Sequence, residues 1–202
     1  MQLQNYYYWF KDAIPHHVCD DIVRYAKSIQ DQMAVTGGLG NRKLNKKEVQ
    51  DLKKKRDSDI VWLNERWIYN AIHPYIHEAN REANWNFQWD FSESCQFTKY
   101  KKGQYYDWHC DSWDRPYNKP EDPNSHGKQR KLSVTLSLSD DKDYSGGELE
   151  FDMRNMDPDK KANTHVLKEI RSKGSLVVFP SDVWHRVKPV KRGVRHSLVI
   201  WN

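Results

Sequence analysis

No stretch of this chain approaches the roughly 18 consecutive apolar residues that a membrane-crossing helix requires, and the mean hydropathy is −1.01. The opening residues, Met1 to Phe10, lack the basic start and apolar run of a secretory leader. Cysteine is scarce. Cys19, Cys95 and Cys110 are odd in number and have no CxxC spacing, which argues against a disulfide scaffold and against a thiolate zinc site. These absences predict a cytoplasmic protein with no membrane partner. No internal repeat is visible, and 202 residues suffice for one domain with a real core.

Tryptophan and tyrosine are abundant, at 9 and 11 residues. Most should be core, with a few left to line a substrate groove. Charge is unevenly spread. The formal net charge is +5, and much of it falls between Asn41 and Arg56, on Arg42, Lys43, Lys46, Lys47, Lys53, Lys54, Lys55 and Arg56. This segment reads as a solvated loop within residues 36–59. An electrostatic patch for an acidic partner or nucleic acid is the sharper alternative.

Along the chain, an aromatic strand precedes Pro15, after which Val18, Ile22, Ala26, Ile29 and Met33 recur at helical steps. Gly37-Gly38 and Gly40 would end that helix. A second helix is predicted from an Asn64 cap, with Trp67, Ile68, Ala71, Ile72, Tyr75, Ile76 and Ala79 as its stripe and a kink or restart at Pro74. From Trp85 the texture is that of strands. Leu132, Val134, Leu136 and Leu138 alternate with serines and a threonine, the pattern of a half-buried strand. Gly146-Gly147 is a turn, and the last strand runs from about Val194 to Trp201. Residues 1–84 thus read as mostly helical support and 85–202 as a β-sandwich or barrel, one α+β domain that is mainly β, with helices packed on one side. Ser112 to Arg130 is polar and proline-bearing, a loop of the kind that often forms a lid. In it, Trp113, Arg115 and Tyr117 would face substrate.

His109 and Asp111 stand two apart. On a strand they would present a nitrogen and a carboxylate to one point. By itself such a pair is commonplace. The support lies near the other end, where His185 and Arg195 flank Pro189 to Gly193. If those residues form a tight turn, His185 and Arg195 sit on neighbouring strands. Two histidines and one carboxylate make the facial triad of non-haem Fe(II) oxygenases, and a planar guanidinium suits the far carboxylate of a chelating 2-oxo acid. Lys191 and Arg192 could compete for that carboxylate. Arg195 is preferred because it lies within the strand, on the same face as Ser197. The other histidines read as surface or packing residues, and Pro74 between His73 and His77 argues against a helical metal pair.

Six segments in order carry a family resemblance: Phe10 to Pro15, Tyr100 to Asp111, Lys131 to Leu138, Tyr144 to Phe151, Gly174 to Pro180, and His185 to Arg195. The chain resembles the prolyl 4-hydroxylase-like 2-oxoglutarate/Fe(II) oxygenases, and within them the PKHD-type hydroxylases. The resemblance implies a double-stranded β-helix, a distorted jelly roll. It implies Fe(II) on His109, Asp111 and His185, 2-oxoglutarate on Arg195, and Tyr100 near that cosubstrate. It also implies O₂ as co-reactant, with L-ascorbate as a supporting reductant. The expected reaction is hydroxylation of an unactivated C–H bond, coupled to decarboxylation of 2-oxoglutarate. A retained Asp111 favours hydroxylation over halogenation. The expected substrate is a prolyl or other peptidyl residue. A free amino acid or small molecule is the alternative, and a non-catalytic jelly-roll binding module is the rival of another class.

Overall fold

The computed structural model describes residues 6–29, 32–33, 45–112, 114–154 and 159–202. In chain order the elements are β1 (Tyr8–Phe10), α1 (His16–Lys27), β2 (Gln32–Met33), α2 (Lys46–Lys55), β3 (Arg56–Asp57), β4 (Asp59–Leu63), α3 (Arg66–Glu82), β5 (Cys95–Tyr100), β6 (Tyr105–His109), β7 (Leu132–Ser137), β8 (Tyr144–Gly146), β9 (Leu149–Asp152), β10 (Thr164–Val166), β11 (Leu176–Pro180), β12 (His185–Val187), β13 (Val190–Gly193) and β14 (Arg195–Trp201). A seven-stranded sheet runs β1-β11-β7-β14-β5-β4-β2. A five-stranded sheet runs β10-β9-β12-β6-β3. Every pairing is antiparallel. This is the jelly-roll architecture that the resemblance implied, though β1 to β4 show that residues before 85 contribute strands to both sheets.

Helices α1 and α3 cover the outer face of the larger sheet. Cys19, Ile22 and Ala26 of α1 and Ile68, Ile72, Ile76 and Ala79 of α3 pack on Phe97, Val134, Leu136, Leu198 and Ile200. Each buried isoleucine contributes about 1.5–3 kcal/mol through the apolar area it removes from water. The expected stripes need trimming. Helix α1 stops at Lys27, where Ser28 folds back on Tyr25 with both its amide and its hydroxyl. Ile29 is therefore exposed and Met33 sits on β2, so Gly37, Gly38 and Gly40 do not end this helix. In α3 the cap is Glu65 rather than Asn64, Trp67 is exposed, and the helix passes through Pro74 with no restart.

The basic segment is not wholly a loop. From Lys46 it forms α2, capped by a reciprocal pair in which Asn45 accepts from the Glu48 amide and Glu48 accepts from the Asn45 amide. This Asn-x-x-Glu signature favours a helix start over a loop. Arg42 and Lys43 lie outside the described residues.

The alternation of β7 is correct in period but not in exposure. All six of its residues are buried. The leucines face the helices, while Ser133, Thr135 and Ser137 face the interior between the sheets. Across from them, Gln96, Thr98, Arg195 and Ser197 are also buried. A polar inner face is costly unless its groups are hydrogen-bonded. Here Ser133 pairs with Ser181 at 2.8 Å, and Arg195 donates to Ser197 at 3.2 Å. The fold thus surrounds a polar slot.

Candidate active site

Strand β6 ends at His109, and β12 begins at His185, its direct partner in register. Asp111 is not on the strand. It sits in the bend that follows, where the amides of Asp111 and Ser112 both donate to the Ser181 carbonyl at 2.8 and 2.9 Å. The bend turns the carboxylate back toward both rings. His109 Nε2 lies 3.7 Å from Asp111 Oδ1, and His185 Nε2 lies 3.6 Å from Oδ2. Ligand-capable atoms of all three fall within 4.8 Å of one another, the only such group among the described residues.

Each imidazole is oriented from behind. Nδ1 of His109 is 2.7 Å from the Asp107 carbonyl, and Nδ1 of His185 is 2.9 Å from the Val183 carbonyl. A carbonyl only accepts, so each Nδ1 carries a proton and each Nε2 is the nitrogen that faces the shared site. Burial, and then the neighbouring His185, pushes the His109 imidazole down to about 3, so it stays neutral. Burial alone would raise the Asp111 carboxyl. His185, His109, Arg130 and the Trp201 N–H outweigh it and hold Asp111 below the usual carboxylate range. Two imidazoles and one carboxylate, converging from one side, are a donor set that fits Fe(II).

The slot beside them is lined by Gln96, Tyr100, Thr135, Arg195, Ser197 and Trp201 of the larger sheet and by Arg56, Tyr106, Leu149 and Val187 of the smaller. It is narrow, about 400 Å³ of empty space counting its open mouth. Arg195 is 3% exposed, and among the described residues it has no carboxylate partner. Tyr100 is its cross-strand neighbour, with the guanidinium 5.6 Å from the ring centre. A buried cation without an acid is costly, so this one calls for an anion from outside the chain. By contrast, Lys191 and Arg192 are exposed, and Arg192 donates outward to the Lys142 carbonyl.

The expected hairpin is not there. His185 lies on the smaller sheet and Arg195 on the larger, so the two face each other across the interior. Residues 190–193, expected as part of a turn, form β13, which pairs with β8. Gly146 and Gly147 allow that pairing. Both have positive φ, and a side chain on Gly146 would sit 2.3 Å from the Pro189 carbonyl oxygen. Gly147 borders the slot directly, since a Cβ there would meet Arg195 Cδ at 3.0 Å.

Sequence reasoning misses several residues. Arg56 is hidden in the lysine run, yet it is 6% exposed and points inward. Tyr106 stands in the sequence only as a neighbour of the His109 motif. Its ring lies face to face with His109, with centroids 3.5 Å apart. Arg130 makes a two-pronged contact with Glu93, reaches the Asp111 carbonyl at 3.3 Å and stacks on Trp201 at 4.0 Å. These residues come from distant parts of the chain, and no local spacing announces them. The 112–130 loop carries its own hydrogen-bonded turn, closed by Tyr117 and Lys128. Arg115 is exposed, Tyr117 reaches Glu93, and Trp113 lies outside the described residues.

The sequence pattern of the 2OG-Fe(II) oxygenase superfamily matches residues 95–202, more than half of the chain. The chain belongs to that superfamily. Among curated relatives, a PKHD-type hydroxylase of Pseudoalteromonas atlantica is 34% identical over 108 residues, covering 52% of this chain and 41% of the relative. One from a Synechococcus strain is 37% identical over 109 residues, covering 54% and 40%. The matched region thus spans well under half the length of these relatives. Among solved structures, a Pseudomonas putida prolyl-4-hydroxylase superposes with a TM-score of 0.67 at 20% identity, covering 98% of this chain and 94% of that one. A viral collagen prolyl hydroxylase from Paramecium Bursaria Chlorella virus-1 gives 0.62 at 20% identity, covering 97% and 94%. In this superfamily Fe(II) and 2-oxoglutarate are the shared cofactor and cosubstrate, and the donor set described above fits that metal.

Proposed function

We propose that this chain is an Fe(II) hydroxylase that couples decarboxylation of 2-oxoglutarate to hydroxylation of an unactivated C–H bond in a prolyl or other peptidyl residue. The observation that carries it is the pairing of two features in one slot: a two-histidine, one-carboxylate cluster, and a buried Arg195 with no acid of its own. In this reading His109, Asp111 and His185 hold the metal. Arg195, with Ser197 and Tyr100 beside it, takes the 5-carboxylate of 2-oxoglutarate. When bound, Fe(II) supplies the oxidising chemistry, with O₂ as oxidant and succinate and CO₂ as by-products. The chain's own work is to orient the partners and exclude water. A non-catalytic module would have no use for a complete ligand set beside an open guanidinium.

The peptidyl reading draws on the PKHD-type relatives and on a cleft adjoining the slot. That cleft, about 660 Å³ of empty space counted in the same way, is lined by Trp89, Phe91, Tyr117 and Arg130 and shares Trp201 with the slot. An aromatic cleft that adjoins the slot at Trp201 suits an extended chain with an apolar ring better than it suits a free amino acid. Among the described residues no helix is long and apolar enough to cross a membrane. The three unpaired cysteines support a reducing, cytoplasmic setting.

The test is succinate release from 2-oxoglutarate with Fe(II) and L-ascorbate, screened against proline-containing peptides and free amino acids. Turnover should depend on a peptide and vanish in His109→Ala, Asp111→Ala and His185→Ala while the fold survives. Full activity in Asp111→Ala would refute the ligand set. Turnover with free amino acids alone would move the substrate to the small-molecule class.

A further inference from the structure

His109 is the last residue of its strand, and the chain bends away at once. Such a residue is poorly held by backbone pairing alone. His185 is held differently. Its ring lies 4.8 Å from Phe179 and 6.1 Å from Phe151, inside an apolar cluster. His109 instead lies against a column of planar groups. The Tyr106 ring covers it, with an interplanar angle of 11°. On Tyr106 in turn lies the Arg56 guanidinium, 4.6 Å from the ring centre. Arg56 and Tyr106 are register partners across β3 and β6. The guanidinium is itself fixed, with Nε donating to Ser58 at 2.9 Å and Nη2 to Gln96 at 2.5 Å. Gln96 belongs to β5 of the larger sheet, so the column is anchored to the opposite wall of the fold.

We propose that Tyr106 and Arg56 are positioning residues, which hold the His109 imidazole in its metal-binding plane through this column. The proposal rests on the reading of His109 as a metal ligand. The Nδ1 contact with Asp107 fixes one edge of the ring but leaves it able to tilt about that bond. A parallel ring at contact distance removes the tilt. Arg56 closes the far face of Tyr106, where a cation is attracted to the ring and keeps the tyrosine from swinging into the slot. The basic segment thereby acquires a structural role, since α2 ends by delivering Arg56 to the column.

The experiment measures metal binding rather than turnover. Mn(II) affinity is determined by calorimetry, and the visible absorption of the Co(II)-loaded full chain reports ligand geometry. Tyr106→Phe keeps the plane and should bind Mn(II) as the parent does. Tyr106→Leu should weaken binding about 10–100-fold, the usual effect of losing a group that orients a metal ligand, and should shift the Co(II) bands. Arg56→Met should weaken it by a smaller factor, about two- to five-fold. Melting of the metal-free variants reports folding separately. Should Tyr106→Leu fail to fold, Tyr106→Met, which keeps bulk and loses the plane, is read in the same way. Parent-like affinity and an unshifted Co(II) spectrum in the non-planar variant would overturn the proposal. Loss of metal in His109→Ala would then show that the ligand reading still stands. Parent-like metal affinity in His109→Ala would instead remove that reading, and the proposal with it.

Discussion

Replacing Arg195 by Met separates two effects that usually move together. The guanidinium is buried, donates to Ser197 at 3.2 Å, and has no carboxylate partner among the described residues. In the ligand-free chain it is a charge held out of water, and removing such a charge costs little or even stabilises. Methionine has similar reach and no charge, so the melting temperature of the ligand-free variant should stay equal or rise. With 2-oxoglutarate the sign reverses. A hydrogen bond to a charged group contributes about 1.5–3 kcal/mol, and 1.4 kcal/mol is about a factor of ten in affinity. Binding should therefore weaken by roughly ten- to a few-hundred-fold. A titration of the Mn(II)-loaded protein with 2-oxoglutarate, followed by calorimetry, measures it directly, and Mn(II) binding itself should be unchanged. Arg192→Met is the control, because Arg192 points outward to the Lys142 carbonyl. The reasoning fails if Arg195→Met binds 2-oxoglutarate within about three-fold of the parent, a span below the smallest charge-assisted contact. It fails equally if Arg192→Met shows the loss instead. A drop of several degrees in the ligand-free Arg195→Met protein would mark the arginine as a structural residue.

Gly147→Ala should impair 2-oxoglutarate binding without touching the guanidinium, because its Cβ would press on Arg195 Cδ at 3.0 Å in a backbone of φ +66; normal affinity would show that Arg195 has room to yield. Ile72→Ala, fully buried between α3 and the sheet, should cost about 2–5 kcal/mol in urea unfolding and leave metal affinity intact, and a joint loss would mean that the helical layer shapes the site. Acid should destabilise the chain through His196, whose imidazole is pushed down to about 4 by burial and then by Lys27, Lys99 and Arg195. The unfolded state takes up this proton first, so stability is full above about pH 6.5 and falls toward pH 4, by up to about 3 kcal/mol. In His196→Gln the urea midpoint should lose part of that slope, and parallel curves for parent and variant would rule the residue out.

How much of this is legible in the sequence depends on whether a residue's role is set by its neighbours along the chain or by the other sheet. The strands are legible, since Leu132 to Leu138 alternates wherever it is placed. The destination of its serines is not, because a period of two says that two faces differ and not what covers each. Here one face meets helices and the other a polar slot, so both are buried. The pair His109 and Asp111 is legible as a candidate metal pair, although strand alternation is only part of what brings the two together. The strand ends at His109, and it is the Ser181 carbonyl, gripping two amides, that turns Asp111 back. The relation of His185 to Arg195 is misleading in sequence for a physical reason. Lys191, Arg192 and Gly193 are exposed on an edge pairing with β8, and an exposed polar tripeptide ending in glycine looks like a turn from sequence alone. Recognising β13 moves Arg195 from a position beside His185 to the opposite wall. That is also the better chemical arrangement. 2-Oxoglutarate carries a carboxylate at each end, and in the proposed reading the His109 and His185 side of the slot and the Arg195 guanidinium on the opposite sheet would hold it from both. Arg56 lies beyond sequence reasoning altogether. Its charge is one of many in the run, and only the pairing of β3 with β6 shows that it faces inward, onto the ring that covers His109.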